Sequence, residues 1–195
     1  MILETERLVI RNWRDDRRDR ALFHEINSDP EIMTFFPRRR TPEESDQLFD
    51  KMRNRIAETG YGFYALALKT DDKPIGFCGL QRPDPAPILK ADAVEIGWRL
   101  ARPFWGRGYV TEAGKALFAY GFDTLSLPEI VSFAVAENHR SIAVMQRLGM
   151  RPTGSFDHPL VPDDTPHLKR HVLYALTAEQ WRLGTANAAI TPSAR

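Results

Sequence analysis

Hydrophobic residues recur along this chain at two spacings, which separate predicted strands from predicted helices. Residues 5–13 alternate, with Leu8 and Ile10 on one face and Val9 on the other, and this predicts a first strand. Further strands are predicted at 61–69, 75–81, 94–100, 130–136, 151–156 and 167–176. Helical spacing and end signals, among them the capping box at Thr41, predict helices at about 15–27, 41–60, 110–125, 138–149 and 178–183, and a short helical piece at 30–36.

The order of these elements limits the fold. The strand–helix–strand unit at 94–136 predicts parallel neighbouring strands with a right-handed crossover, and the short turn at Asp71-Asp72 predicts an antiparallel hairpin. We therefore predict an α/β fold with a mixed, mostly antiparallel sheet of about seven strands and helices on both faces. In this interpretation residues 1–183 form one domain, and residues 184–195, which lack periodicity, form a loose tail.

Composition narrows the class of protein. The net charge of +1 over 195 residues provides no field to recruit nucleic acid or a membrane, and no apolar run is long enough to span a bilayer. Cys78 is the only cysteine, which excludes an internal disulfide and a multi-cysteine zinc site, and the histidines show no metal spacing. We expect a cytoplasmic protein without a metal, with Cys78 in its core.

Two glycines one residue apart, Gly106 and Gly108, separate the predicted strand at 94–100 from the next helix. Glycine lets the backbone turn sharply and approach a ligand without an intervening Cβ. The first N–H groups of a helix have no partner inside it and lie at the positive end of its dipole, which favours phosphate binding. Such spacing also occurs in tight turns that bind nothing, and the stretch lacks the third glycine of a dinucleotide fingerprint and the Gly-Lys-Ser/Thr of an NTPase loop.

A longer set of residues is more specific. Residues 103–113, with Glu95-Ile96-Gly97-Trp98 before them and Asn138-His139-Arg140-Ser141 and Leu148-Gly149-Met150 after them, resemble the GNAT superfamily of N-acetyltransferases, in particular its RimJ/RimL-like branch. The resemblance implies that the fourth and fifth predicted strands splay apart and admit the pantetheine arm of acetyl-CoA. It also implies direct acetyl transfer in a ternary complex to a primary amine, which is a peptide or protein N-terminus or a small molecule. A homodimer is a separate expectation, which the resemblance does not supply.

The resemblance assigns residues to the coenzyme. The implied cofactor contacts are Trp98, Arg99, Leu100, Gly106, Arg107, Gly108, Tyr109, Val110, Thr111, Asn138, Ser141 and Met145. Pro103 stands where relatives often carry Gln or Arg, so we expect the turn to bind mainly through backbone amides. Asn138 and Ser141 also have the spacing of a helix N-cap, which is their alternative role.

Glu95 is the predicted catalytic proton acceptor. A carboxylate among aliphatic strand neighbours is expected to have a raised pKa and to act directly or through water, and a solvent-facing or salt-bridged structural glutamate is the alternative. Backbone N–H groups near Gly97 and Trp98 are expected to stabilise the oxyanion if the strand bulges at Gly97. The alternative role of Gly97 is close packing.

The departing thiolate needs a proton donor, and the residue that relatives use for this step differs in this chain. Many GNAT proteins carry a tyrosine seven residues after the asparagine, and this chain has Met145 there, which cannot donate a proton. Ser141 or water is the predicted replacement, so Ser141 is the second predicted catalytic residue. Met145 also supports an alternative function, a non-catalytic acyl-CoA-binding sensor or interaction module; transfer of a longer acyl chain is a third interpretation.

Overall fold

An open, mostly antiparallel sheet forms the centre of the computed structural model, which describes residues 3–83 and 88–190, the last five by backbone alone. Its strands within that part of the chain are β1 (Leu3–Glu4), β2 (Leu8–Arg11), β3 (Phe63–Leu68), β4 (Pro74–Gln81), β5 (Glu95–Leu100), β6 (Glu129–Val135), β7 (Arg151–Asp157) and β8 (Arg170–Thr177). They lie in the order β1-β2-β3-β4-β5-β6-β8-β7. This confirms the predicted mixed α/β class.

Two strand boundaries differ from the prediction. The first predicted strand is two strands, because the Thr5 N–H donates to the Leu8 carbonyl at 2.9 Å and turns the chain back between β1 and β2. Leu8 and Ile10 are buried on one face of β2, as predicted. The last predicted strand begins at Arg170, since Pro166–Leu168 form a 3-10 turn.

The helices are α1 (Arg17–Ser28), α2 (Pro42–Thr59), α3 (Tyr109–Ala119), α4 (His139–Arg147) and α5 (Ala178–Ile190). The predicted capping box is confirmed, since the Thr41 side chain accepts from the Glu44 N–H and the Glu44 carboxylate accepts from the Thr41 N–H. Gly60 ends α2 in the left-handed conformation, at φ +79°. The short helical piece lies at Ile32–Phe35.

The C-terminal helix corrects one expectation. The prediction ended this helix at Leu183, but α5 continues to Ile190, so residues 184–190 are helical rather than a loose tail. They carry no apolar stripe, and their alanines favour a helix by intrinsic propensity alone. Residues 191–195 lie outside the described residues, as do residues 84–87. None of the described helices is long and apolar enough to cross a membrane.

The parallel pair at the centre of the sheet is splayed, as expected. β5 and β6 are in register only at Glu95 and Val131, near their amino-terminal ends, whereas β4 and β5 pair along the whole length of β5. Beyond Glu95, the β6-facing edge of β5 therefore has no partner among the described strands. α3 follows β5 and α4 follows β6, so both helices begin at the open end of the gap.

Alternation along β5 distributes its side chains between two faces. Glu95, Gly97 and Arg99 share the face covered by α1 and α2, which we call the α1 face. Arg99 reaches Asn27 of α1 at 2.6 Å there. Trp98 and Leu100 share the opposite face, the α3 face, with Leu80 of β4. Helices thus cover both faces, and the main core extends along both, with Cys78 fully buried in it.

Candidate functional site

The turn before α3 has a backbone that only glycine adopts readily. Gly106 has φ +71° and Gly108, the N-cap of α3, has φ +79°. No side chain caps the helix at Gly108. A Cβ on Gly106 would meet no atom within 4 Å, so this glycine borders open space. We call residues 106–109 the glycine turn.

The N–H groups of this segment are available to a ligand. In the part of the chain that the structure describes, no acceptor is found for the backbone N–H groups from Gly106 through Thr111. The first N–H of α3 with a partner is that of Glu112, which donates to the Gly108 carbonyl at 3.0 Å. Consecutive free donors at a positive helix end suit the oxygens of a phosphate or diphosphate. Phosphate binding by this turn stays a prediction, with which these free donors are compatible.

Arg7 joins this turn, and the sequence analysis missed it. Its Nη1 donates to the Arg107 carbonyl at 3.1 Å, its guanidinium lies 4.6 Å from the centre of the Tyr109 ring, and its Nε is 2.6 Å from Glu112. Burial raises the pKa of Glu112, but hydrogen bonds from Thr5 and Arg7 outweigh this and lower it. No local signal identifies Arg7, because it lies about 100 residues from the turn in sequence.

The start of α4 lies beside the glycine turn. The Asn138 side chain accepts the Ser141 N–H at 3.2 Å, so its capping role is confirmed. The guanidinium of Arg140 lies 4.3 Å from the centre of the Trp105 ring, which links the first turn of α4 to the segment just before Gly106. The structure thus brings the two predicted cofactor segments, at 106–111 and at 138–141, to the same end of the gap.

Several residues predicted to contact the coenzyme are buried instead. Met145 is 0% exposed, and Leu100 and Val110 are 5% and 9% exposed, all within the main core. Their side chains pack in this core, and their contact with the coenzyme stays a prediction. Ser141, Thr111 and Trp98 are half-buried at the edge of the gap.

Glu95 lies where β5 and β6 diverge. It is half-buried, and one of its carboxylate oxygens is 3.4 Å from the position that a Cβ on Gly97 would take. The strand does not bulge at Gly97, because β4 and β5 keep their register through Gly79 and Gly97, so the condition set for the oxyanion role is not met. A Cβ on Gly97 would lie 2.7 Å from the Phe63 ring, so close packing explains this glycine.

Arg99 points away from the glycine turn, on the α1 face. Its Nη1 donates to the Asn27 side chain at 2.6 Å, and its guanidinium lies 4.1 Å from the Phe36 ring centre and 5.5 Å from that of Phe77. Its Nε is buried without a hydrogen-bond partner among the described residues. Burial, and to a smaller extent the charge of Arg40, lower the pKa of Arg99 to about 9.

The contacts that stabilise the charge of Arg99 can be compared with the cost of removing that charge from water. A cation–π contact contributes about 0.5–2 kcal/mol, and a hydrogen bond from a charged donor about 1.5–3 kcal/mol. Full removal of a charge from water costs several kcal/mol per ion even after relaxation, and the half-buried Arg99 bears part of that cost. No carboxylate among the described residues lies within salt-bridge distance of Arg99 to offset that cost.

Comparison with known proteins gives a consistent result. A family model described as an acetyltransferase (GNAT) domain matches residues 7–151. The chain is 28% identical over 182 residues to YnaD, an uncharacterized N-acetyltransferase of Bacillus subtilis, covering 93% of this chain and 99% of that one. It is 28% identical over 167 residues to FsC-acetyl coenzyme A-N(2)-transacetylase of Aspergillus fumigatus, covering 80% and 68%.

A solved structure is also similar. The crystal structure of a GNAT-family acetyltransferase from Bacillus anthracis superposes with a TM-score of 0.76 at 26% identity, covering 92% of this chain and 99% of that one. The shared fold extends beyond the region matched by the family model and includes the strands and helices that border the gap.

Proposed function

Because the chain belongs to the GNAT family of acetyltransferases, we propose that it transfers the acetyl group of acetyl-CoA directly to a primary amine in a ternary complex. The single observation that carries this proposal is the run of free backbone N–H groups from Gly106 through Thr111, at the open end of the splayed strands. The name of the Aspergillus relative, which specifies acetyl coenzyme A, supports the choice of donor.

The residues present fit the coenzyme. The glycine turn offers amides to a diphosphate, and Arg7 adds a positive charge beside Gly108, with Nη2 3.6 Å from the position of a Cβ there. The unpaired edge of β5 beyond Glu95 offers backbone groups to an extended amide-containing arm. When bound, acetyl-CoA supplies a thioester whose acyl carbon accepts a nucleophile.

Glu95 is proposed to take the proton of the attacking amine. It lies on the α1 face at the narrow end of the gap, so an amine that approaches from this face passes its carboxylate before reaching the gap. Backbone N–H groups along the unpaired edge of β5 are proposed to stabilise the developing oxyanion. Stabilisation of the oxyanion by this edge does not require a bulge at Gly97.

Ser141 remains the proposed proton donor to the departing thiolate, directly or through water. It is half-buried at the start of α4, its backbone N–H is held by Asn138, and no hydrogen bond of its hydroxyl to a described residue is found. Met145 is buried in the core and takes no part in this step. A cytoplasmic location, a homodimer and membership of the RimJ/RimL-like branch remain predictions.

The test for catalysis is thiol release from acetyl-CoA with a panel of peptide N-termini and small amines. Glu95→Gln is expected to lower kcat at least tenfold while coenzyme A binding, measured by calorimetry, is unchanged. Glu58→Gln, an exposed glutamate on α2, is the matched control. Coenzyme A binding without any turnover by the wild type would favour the sensor interpretation instead.

The test for the glycine turn uses two glycines with the same backbone conformation. Gly108→Ala is expected to weaken coenzyme A binding, because a side chain strains the turn and projects toward the ligand and Arg7. Gly60→Ala imposes the same strain, at φ +79°, at the distant end of α2. Equal affinities of the two variants for coenzyme A would contradict the assignment of the glycine turn.

A further inference from the structure

The face of β5 that carries Glu95 also carries a positive group without a counter-ion. Arg99 makes one hydrogen bond, from Nη1 to Asn27, and no ion pair with any described residue. Nε is buried and unpartnered, and Nη2 makes no hydrogen bond to a described residue. The Nε–Nη2 edge of a guanidinium is one of the two forks that bind carboxylate or phosphate oxygens in pairs. In Arg99 this Nε–Nη2 edge makes no hydrogen bond to a described residue.

A second arginine reinforces the charge. The Arg40 N–H donates to the Asn27 carbonyl at 2.9 Å, while the Asn27 side chain holds Arg99, so one buried asparagine positions both residues. The charge of Arg40 is near enough to lower the pKa of Arg99. Within the described residues, Arg40 has no ion pair of its own, although neighbouring Arg38 pairs with Glu44. A second positive charge near Arg99 adds to its attraction for an anion.

This positive site is aligned with the reaction site. Glu95, Gly97 and Arg99 follow one another on the α1 face, and the α-carbons of Glu95 and Arg99 are about 13 Å apart at ~3.3 Å per strand residue. The rings of Phe63 and Phe77, stacked at 5.1 Å, border the row, and Phe36 lies over Arg99. A molecule lying along this row meets a carboxylate at one end, aromatic rings in the middle and a guanidinium at the other.

We propose that Arg99, with Arg40 beside it, binds an anionic group of the acetyl acceptor, so that the acceptor is an amine that also carries a carboxylate or a phosphate. The inference rests on the proposed acetyltransferase function and names the acceptor class of that site. Glu95 faces the amine and Arg99 faces the anion, which orients the acceptor along β5. The aromatic rings contact the part of the molecule between the two groups.

Matched acceptor pairs test this proposal. The pairs are 6-aminohexanoate with its amide, glucosamine 6-phosphate with glucosamine, and a peptide that begins Ser-Glu with one that begins Ser-Gln. For at least one pair, wild-type kcat/KM is expected to be tenfold or more higher for the anionic member. Arg99→Met is expected to abolish that preference through KM, and Arg99→Lys, which keeps the charge but not the fork, to retain part of it.

The controls separate binding from folding and from turnover. Arg147→Met removes an exposed arginine at the far end of α4 and is expected to keep the preference. Thermal unfolding establishes that each variant is folded. If Arg99→Met fails to fold, Arg99→Lys carries the comparison. Calorimetry with the coenzyme A-loaded protein measures binding of the same acceptors, so anion-dependent binding without turnover would support this site and contradict the proposed catalysis.

Two results would overturn the proposal. One is turnover of amines by the wild type with no preference for the anionic member of any pair, which would leave the acetyltransferase function intact. The other is a preference for the anionic member that persists undiminished in Arg99→Met. The phosphate and carboxylate pairs distinguish the two sources of the anion, since only the pair that fits the site is expected to show the preference.

Discussion

Arg11 and Arg99 both project from strands of the sheet, Arg11 buried and Arg99 half-buried, but only Arg11 has carboxylate partners among the described residues. Arg11 is 4% exposed and makes two hydrogen bonds to Asp19, at 2.6 and 2.9 Å, and one to Asp72 at 3.0 Å. Among the described residues, Arg99 has a single hydrogen bond, to the neutral side chain of Asn27. Arg11 therefore has two carboxylate partners, whereas Arg99 has none among the described residues.

The two pKa values shift in opposite directions for this reason. Burial lowers the pKa of Arg11, but the hydrogen bonds and charges of Asp19 and Asp72 outweigh it and raise the pKa above its ordinary value. At Arg99 no carboxylate of the described residues opposes the effect of burial, and the pKa falls. Arg11 is matched by carboxylates of the chain, whereas Arg99, which is half-buried, has none among the described residues and is suited to bind an anion from outside.

The largest expected effect is at Arg11. Arg11→Met should lower the free energy of unfolding by about 3–5 kcal/mol, because it leaves the buried Asp19 carboxylate, 1% exposed, without its cation. Urea denaturation followed by circular dichroism measures the change. The double variant Arg11→Met with Asp19→Leu is expected to recover part of the loss. A loss below 1 kcal/mol in the single variant would mean that the ion pair is not structural.

A much smaller effect on stability is expected at Arg99. Arg99→Met should change the free energy of unfolding by no more than about 1 kcal/mol in either direction, because the substitution removes an uncompensated charge as well as one hydrogen bond. The same urea titration, run beside Arg11→Met, provides the comparison. A loss as large as that of Arg11→Met would show that Arg99 has a structural role and would remove the distinction between the two sites.

The smallest expected effect is a difference in acid sensitivity. Burial raises the pKa of Asp72, but hydrogen bonds from Arg11 and Arg14 outweigh it and lower the pKa. Stability from this carboxylate is thus present above its unfolded pKa of about 3.9 and is lost as the pH falls through the lower folded value. Arg11→Met should weaken the decline in stability between pH 5 and pH 3, and Arg99→Met should leave it unchanged. Urea midpoints at these two pH values measure it, and equal slopes in all three proteins would contradict the assignment.

Local patterns of the sequence determined much of this molecule. The capping box at Thr41, the left-handed glycines at 60 and 108, and the alternation of Leu8 and Ile10 each depend on residues within a few positions of one another. Backbone geometry and side-chain periodicity act at that range. The resemblance of residues 95–150 to one family added the splayed strands, which the register of β5 and β6 confirms.

Only the tertiary structure decided which charges are paired and which side chains are closed to a ligand. Arg7 meets the glycine turn across about 100 residues of sequence, Arg99 meets Asn27 across 72, and Met145 is buried in the main core. Periodicity along the chain predicts that a residue faces inward or outward, but not which residue lies opposite. The energy of a charge depends on that opposite residue, because a guanidinium removed from water is stabilised or destabilised by groups within a few ångströms, whatever their distance in sequence.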